Sequence, residues 1–154
     1  MEALVSRLLD LTIAIQSIPA PTSNEGIRAE FVRTRFEAEN LCDIELDEVG
    51  NVYGRLPGDG SSLPLIVSAH MDTVFSTGQN HEHRRTSQRI FGPGIGDNSL
   101  GVAGLLGLVW ALRQEQVSLP GDLWLVGNVG EEGLGDLRGM RAVVDRFGSQ
   151  VLGH

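Results

Sequence analysis

Cysteine is nearly absent: Cys42 is the only one in 154 residues. This excludes an internal disulfide framework and a cysteine-rich zinc knuckle, and it fits a reducing, cytoplasmic setting. Basic charge is also scarce. Twelve Lys and Arg against twenty Asp and Glu leave a formal net charge of −8. That balance argues against a surface for nucleic acid or an anionic membrane, which would need basic patches. The opening Met1-Glu2-Ala3-Leu4 lacks a basic segment followed by an apolar core, so no signal peptide is expected. The longest apolar run, Leu100 to Leu112, falls short of the ~20 residues that span a bilayer and reads as a buried helix. There is no internal repeat and no low-complexity tract.

What is present suffices for one compact domain. Apolar residues make up 41% of the chain, enough for a buried core. Leu4, Leu8, Leu11 and Ile15 recur at helical spacing over residues 2–18, and Pro19 and Pro21 end that helix. Ser23 or Asn24 can cap a second helix running to about Asn40, with Ile27, Phe31, Val32 and Phe36 on one face. The period then shortens. Ile44, Leu46 and Val49 alternate with acids, Gly50-Asn51 makes a turn, and Val52 to Leu56 pairs back as a hairpin. Leu63 to Ala69 is a nearly continuous apolar strand with His70 as its exit residue. Thr77 to Arg89 is polar and irregular. The turn Gly92-Pro93-Gly94-Ile95-Gly96 leads through Asp97 and Asn98 into a helix from about Ser99 to Gln116. A second buried strand opens at Leu123, with Glu131-Glu132 just past its end. An amphipathic helix covers Asp136 to Phe147, and Gln150-Val151-Leu152 begins another strand. This order predicts an α/β fold: a mixed, mostly parallel sheet with helices on both faces.

In such sheets, sites form beyond the carboxyl ends of strands, and the candidate chemistry falls there. His70 and Asp72 stand two apart in extended chain and face the same way, so Asp72 can orient the imidazole. An isolated His-x-Asp is more often a strand-end cap or turn. Asp97 follows a glycine-rich turn, where it can be a metal-bridging carboxylate or a helix N-cap. Glu131 and Glu132 point opposite ways if extended, so one can bind metal while the other reaches a bound water; alone, such a pair is usually a solvated turn. His81 and His83 sit among charges in a loop that reads as solvated. Gly92 to Gly96 superficially suggests a phosphate loop, but no Gly-Lys-Ser/Thr follows, and Asp97 would repel a pyrophosphate.

Taken together, Ser17-Ile18-Pro19-Ala20-Pro21 with Glu25, Asp47 through Gly50-Asn51-Val52, Ser68-Ala69-His70-Met71-Asp72-Thr73-Val74, Gly94-Ile95-Gly96-Asp97-Asn98-Ser99 and Gly130-Glu131-Glu132-Gly133 resemble one family. It is the co-catalytic zinc metallopeptidases that include peptidase T, carboxypeptidase G, acetylornithine deacetylase and succinyl-diaminopimelate desuccinylase. The resemblance implies two Zn²⁺ ions, for which Co²⁺ or Mn²⁺ can substitute. It assigns His70 to one metal, Glu132 to the other, Asp97 to both, Glu131 to the general base and Asp72 to the partner of His70. The implied reaction is hydrolysis of an amide in short peptides. An N-acyl amino acid deacylase, and a non-catalytic scaffold, stand as alternatives. The family pattern has two further ligands, an acid on the strand after the Glu-Glu helix and a C-terminal His that His154 precedes in order. Residues 1–154 are therefore expected to be the N-terminal part of a catalytic domain, binding metal weakly and turning over little alone. An inserted domain outside this chain is expected to mediate a homodimer.

Overall fold

A computed structural model describes residues 2–152. Helix α1 spans Glu2–Gln16; Leu11 and Ile15 are buried, with Leu4 and Leu8 packed against the same cluster. Helix α2 spans Gly26–Ala38. Its buried face is Arg28, Ala29, Val32 and Phe36, and Ile27, expected inside, is 75% exposed. Arg28 takes the inward position next to Ile27. Its guanidinium donates to the carbonyl of Ile18 and, at 2.7 Å, to that of Met71, so a buried cation is held by hydrogen bonds. Neither Ser23 nor Asn24 caps this helix. Glu25 occupies the N-cap position, and Ser23, at φ +74°, donates its N–H to the Glu25 carboxylate at 3.0 Å.

Strands β1 (Cys42–Leu46) and β2 (Val52–Leu56) form the expected hairpin. Its turn is organised by Asp47, whose Oδ1 accepts the N–H groups of Val49, Gly50 and Asn51. Strand β3 is Leu65–His70. The segment read as irregular contains a small antiparallel hairpin, β4 (Arg84–Arg85) with β5 (Ile90–Phe91). An irregular helical turn at Ile95–Ser99, with a cis peptide between Asp97 and Asn98, leads into α3 (Leu100–Gln114). Strand β6 (Leu123–Asn128) and helix α4 (Arg138–Phe147) follow. Residues 150–152, expected as a strand, are bends; Leu152 meets the sheet through one bond, its N–H to the carbonyl of Pro64 at 2.7 Å. His154 lies outside the described residues.

The sheet is mixed, in the order β1-β2-β6-β3. Within this sheet the parallel pair is β3 with β6, since the hairpin enters beside β6 and β2 runs antiparallel to it; an isolated parallel bridge joins Pro21 and Thr73. β6 is central, and its alternation divides the interior. Leu123 and Leu125 face the larger core with Phe36, Val52 and Val109. Val126 joins Tyr53, Ile66 and Val143 in a second cluster, with Trp124 packed against it. Helices therefore cover both faces: α1 to α3 on one, α4 on the other. Fully burying a side chain such as Phe36 stabilises the fold by about 1.5–3 kcal/mol relative to leaving it exposed. The stretch Ile95–Gln114 is long and apolar enough to cross a membrane by length and composition. Here its regular part is the core helix, with Val102, Ala103, Leu105, Leu106 and Val109 buried.

Candidate metal centre

The register of the parallel pair builds the site. His70 ends β3 opposite Asn128, the last residue of β6, and Met71 extends the pairing by donating to the Asn128 carbonyl at 2.7 Å. Both chains then leave the sheet at the same level. One carries Asp72, and the other carries Glu131 and Glu132. The glycine turn before α3 delivers Asp97 to the same edge.

His70, Glu131 and Glu132 each offer a ligand atom, and the three lie within 4.8 Å of one another. Asp97 lies outside that set and joins it through the imidazole: its Oδ1 is 3.0 Å from His70 Nε2. The Asp97 side chain is 76% exposed, so it faces the open side of the cluster. On the other ring nitrogen, Nδ1 lies 3.2 Å from the Asp72 carbonyl oxygen and 3.5 Å from its Oδ1.

Asp72 is wholly buried and does more than face His70. Its Oδ1 accepts the N–H of Glu131 at 2.9 Å. Its Oδ2 accepts the N–H of Glu132 at 3.0 Å and the Thr22 hydroxyl at 2.9 Å. Burial opposes its charge, but His70, the two amides and Thr22 outweigh burial and hold the carboxyl well below the usual carboxylate range. Burial likewise disfavours the His70 cation, yet Asp72, Glu131 and Asp97 raise its pKa above the ordinary value. Burial and then repulsion from Asp97 and Glu131 push Glu132 up. Four carboxylates, of Asp72, Asp97, Glu131 and Glu132, are gathered around one imidazole. One nitrogen donor with carboxylate oxygens is the donor set that zinc accepts, as do cobalt and manganese. The residues present fit a divalent metal.

His81 takes no part: its Nε2 is 3.1 Å from the Ser76 carbonyl oxygen, and its own carbonyl accepts from Gln16. Four residues without an assigned role converge behind the cluster: Thr22, Glu25, Asn51 and Arg138. Asn51 and Glu25 accept backbone N–H groups of Val129 and Gly130, while Thr22 and Arg138 bond the side chains of Asp72 and Glu25.

The family model of the M20/M25/M40 peptidases matches residues 66–153. The chain belongs to this peptidase family. Solved structures agree on the fold. A tripeptidase from Staphylococcus aureus superposes with a TM-score of 0.75 at 24% identity, over 90% of this chain and 40% of that one. The aminopeptidase PepT from Bacillus cereus gives 0.80 at 20% identity, over 96% and 42%. A dinuclear metal-binding M20 peptidase from Bacillus subtilis, YXEP, gives 0.64 at 18% identity, over 98% and 42%. This M20 chain thus spans about two-fifths of the length of each of these relatives.

Proposed function

We propose that this M20 chain contributes to metal-dependent hydrolysis of an amide bond in short peptides, an exopeptidase activity of the aminopeptidase or tripeptidase kind. The observation that carries the reading is the meeting of His70, Glu131 and Glu132 within 4.8 Å, with Asp97 on the His70 imidazole. The names of the relatives, a tripeptidase and an aminopeptidase, favour peptides over N-acyl amino acids.

In this reading His70 and Glu132 would each hold one of two divalent ions, zinc by preference, and Asp97 would serve both. When bound, such ions supply Lewis acidity toward a scissile carbonyl and a water. Glu131 accepts the proton of the attacking water and returns it to the leaving nitrogen. Asp72 fixes the imidazole of His70 through Nδ1 and directs Nε2 outward. It also holds the main chain from which both glutamates project.

The test sets a panel of short peptides against N-acetyl amino acids, with added Zn²⁺, for parent and Glu131→Ala. Peptides are expected to be cleaved by the parent assayed as the whole product of its native gene, with residues 1–154 alone turning over little. Loss of the base should cut turnover by about 10²–10⁴-fold while metal uptake stays close to that of the parent. Equal turnover by variant and parent would refute the role of Glu131. Cleavage of acetyl amino acids alone would replace the peptidase reading with a deacylase.

A further inference from the structure

Four consecutive backbone N–H groups follow β6, and each ends on a side-chain oxygen. Val129 donates to Asn51 Oδ1 at 3.1 Å and Gly130 to Glu25 Oε1 at 3.1 Å. Glu131 and Glu132 donate to the two oxygens of Asp72 at 2.9 and 3.0 Å. The loop that presents both glutamates is therefore hung from three residues, each at least 59 positions away in sequence. Asp72 belongs to the site already described. Glu25 is a separate anchor.

The Glu25 side chain is 6% exposed. Besides Gly130, its Oε1 accepts from Ser23 N–H at 3.0 Å and from Arg138 Nη2 at 2.8 Å. Arg138 opens α4 and packs against Gly130, where an added Cβ would overlap its guanidinium. Gly130 itself is at φ +62°, a conformation that favours glycine. Gly130, the residue before Glu131, is thus held from two directions: its N–H by the Glu25 carboxylate, and its Cα by the arginine packed against it. A carboxylate acceptor makes a hydrogen bond roughly twice as strong as a neutral one, and Arg138 gives this buried side chain a cationic partner at 2.8 Å.

We propose that Glu25 is a positioning residue of the metal centre: paired with Arg138, it fixes the Gly130 peptide and so the direction in which the Glu131 and Glu132 carboxylates leave the loop. This rests on the metal reading above. Metal donors tolerate little misplacement, and outer partners that orient them typically matter by about 10–100-fold in affinity.

The experiment uses Co²⁺ as the probe, titrated into parent, Glu25→Gln and Glu25→Ala, with the visible absorption band as readout. Amide exchange at Gly130 is followed on the metal-free proteins, and circular dichroism checks folding. Glu25→Ala should bind cobalt about 10–100-fold more weakly, with an altered band and faster Gly130 exchange. Glu25→Gln keeps an acceptor oxygen and should recover part of the loss. Cobalt affinity and band like those of the parent in both folded variants overturn the proposal alone. Should Glu25→Ala fail to fold, Glu25→Gln decides: weaker cobalt binding upholds the proposal, and binding equal to the parent's overturns it. A parent that binds no cobalt overturns the metal reading, and this proposal with it.

Discussion

Asp72 holds the main chain of Glu131: a buried carboxylate at the exit of β3 accepts the N–H of a residue at the exit of β6, at 2.9 Å. The same side chain takes the N–H of Glu132 and the hydroxyl of Thr22. Replacing it by alanine leaves three donors without their acceptor. Each donor left buried and unpaired costs about 1–3 kcal/mol. Asp72→Ala should therefore lower urea stability by several kcal/mol, and Asp72→Asn, which retains a carbonyl oxygen, by less. Equal midpoints for Asp72→Ala and parent would remove the anchor role.

The same carboxylate sets an acid limit. Its folded-state pKa is depressed, so the stability it provides is complete above the unfolded value near 3.8. That stability is lost as pH falls from there through the lower folded value. Unfolding midpoints measured between neutral pH and strongly acid pH should fall more steeply below the ordinary carboxylate range in the parent than in Asp72→Asn. Parallel curves would contradict the assignment.

Cation binding should stabilise the fold. The carboxylates of Glu131 and Glu132 and the imidazole of His70 converge within 4.8 Å of one another. A divalent metal at one hundred times its dissociation constant adds about 2.7 kcal/mol to stability by mass action. Thermal melts with Zn²⁺ should therefore shift upward, return with a chelator, and lose the shift in His70→Ala. A shift of the same size in His70→Ala would place the ion elsewhere.

Gly139 meets the same loop from below. Its N–H bonds the Val129 carbonyl at 3.0 Å, and an added Cβ would overlap that carbonyl and Asn51 Oδ1. Both neighbours are held, the carbonyl as backbone and the amide by the hairpin turn. Gly139→Ala is expected to cost about 1–3 kcal/mol, the usual range for overpacking. Chemical denaturation reads this directly, and a neutral result would mean the start of α4 can move.

The strand exits were legible because apolar runs mark buried strands, and polar side chains just beyond them are conspicuous. His70, Asp97 and the glutamate pair stand out on that signal, and the structure brings their side chains together. The small hairpin of Arg84–Arg85 with Ile90–Phe91 was not, since two-residue strands carry no periodicity. Ile27 was placed inside by its apolarity. The structure buries Arg28 instead because two carbonyls, of Ile18 and Met71, wait for its guanidinium. Asp72 was read as a partner of His70, and that contact exists. Its three other bonds involve two main-chain amides and a threonine, and a bond to a backbone amide leaves no mark on the identity of the residue that donates it. The shares of Glu25 and Asn51 were hidden for the same reason. The parallel fraction of the sheet was overestimated because alternating strands and helices do not reveal on which side of β6 the hairpin docks.

The four amides from Val129 to Glu132 are already committed to side-chain oxygens. A donor so occupied has little left for negative charge that develops on a substrate oxygen, the task that backbone N–H groups perform in an oxyanion hole. This loop is built to hold glutamates still and not to receive an anion. In the proposed hydrolysis, the donor or cation that steadies a tetrahedral oxyanion comes from outside residues 129–132.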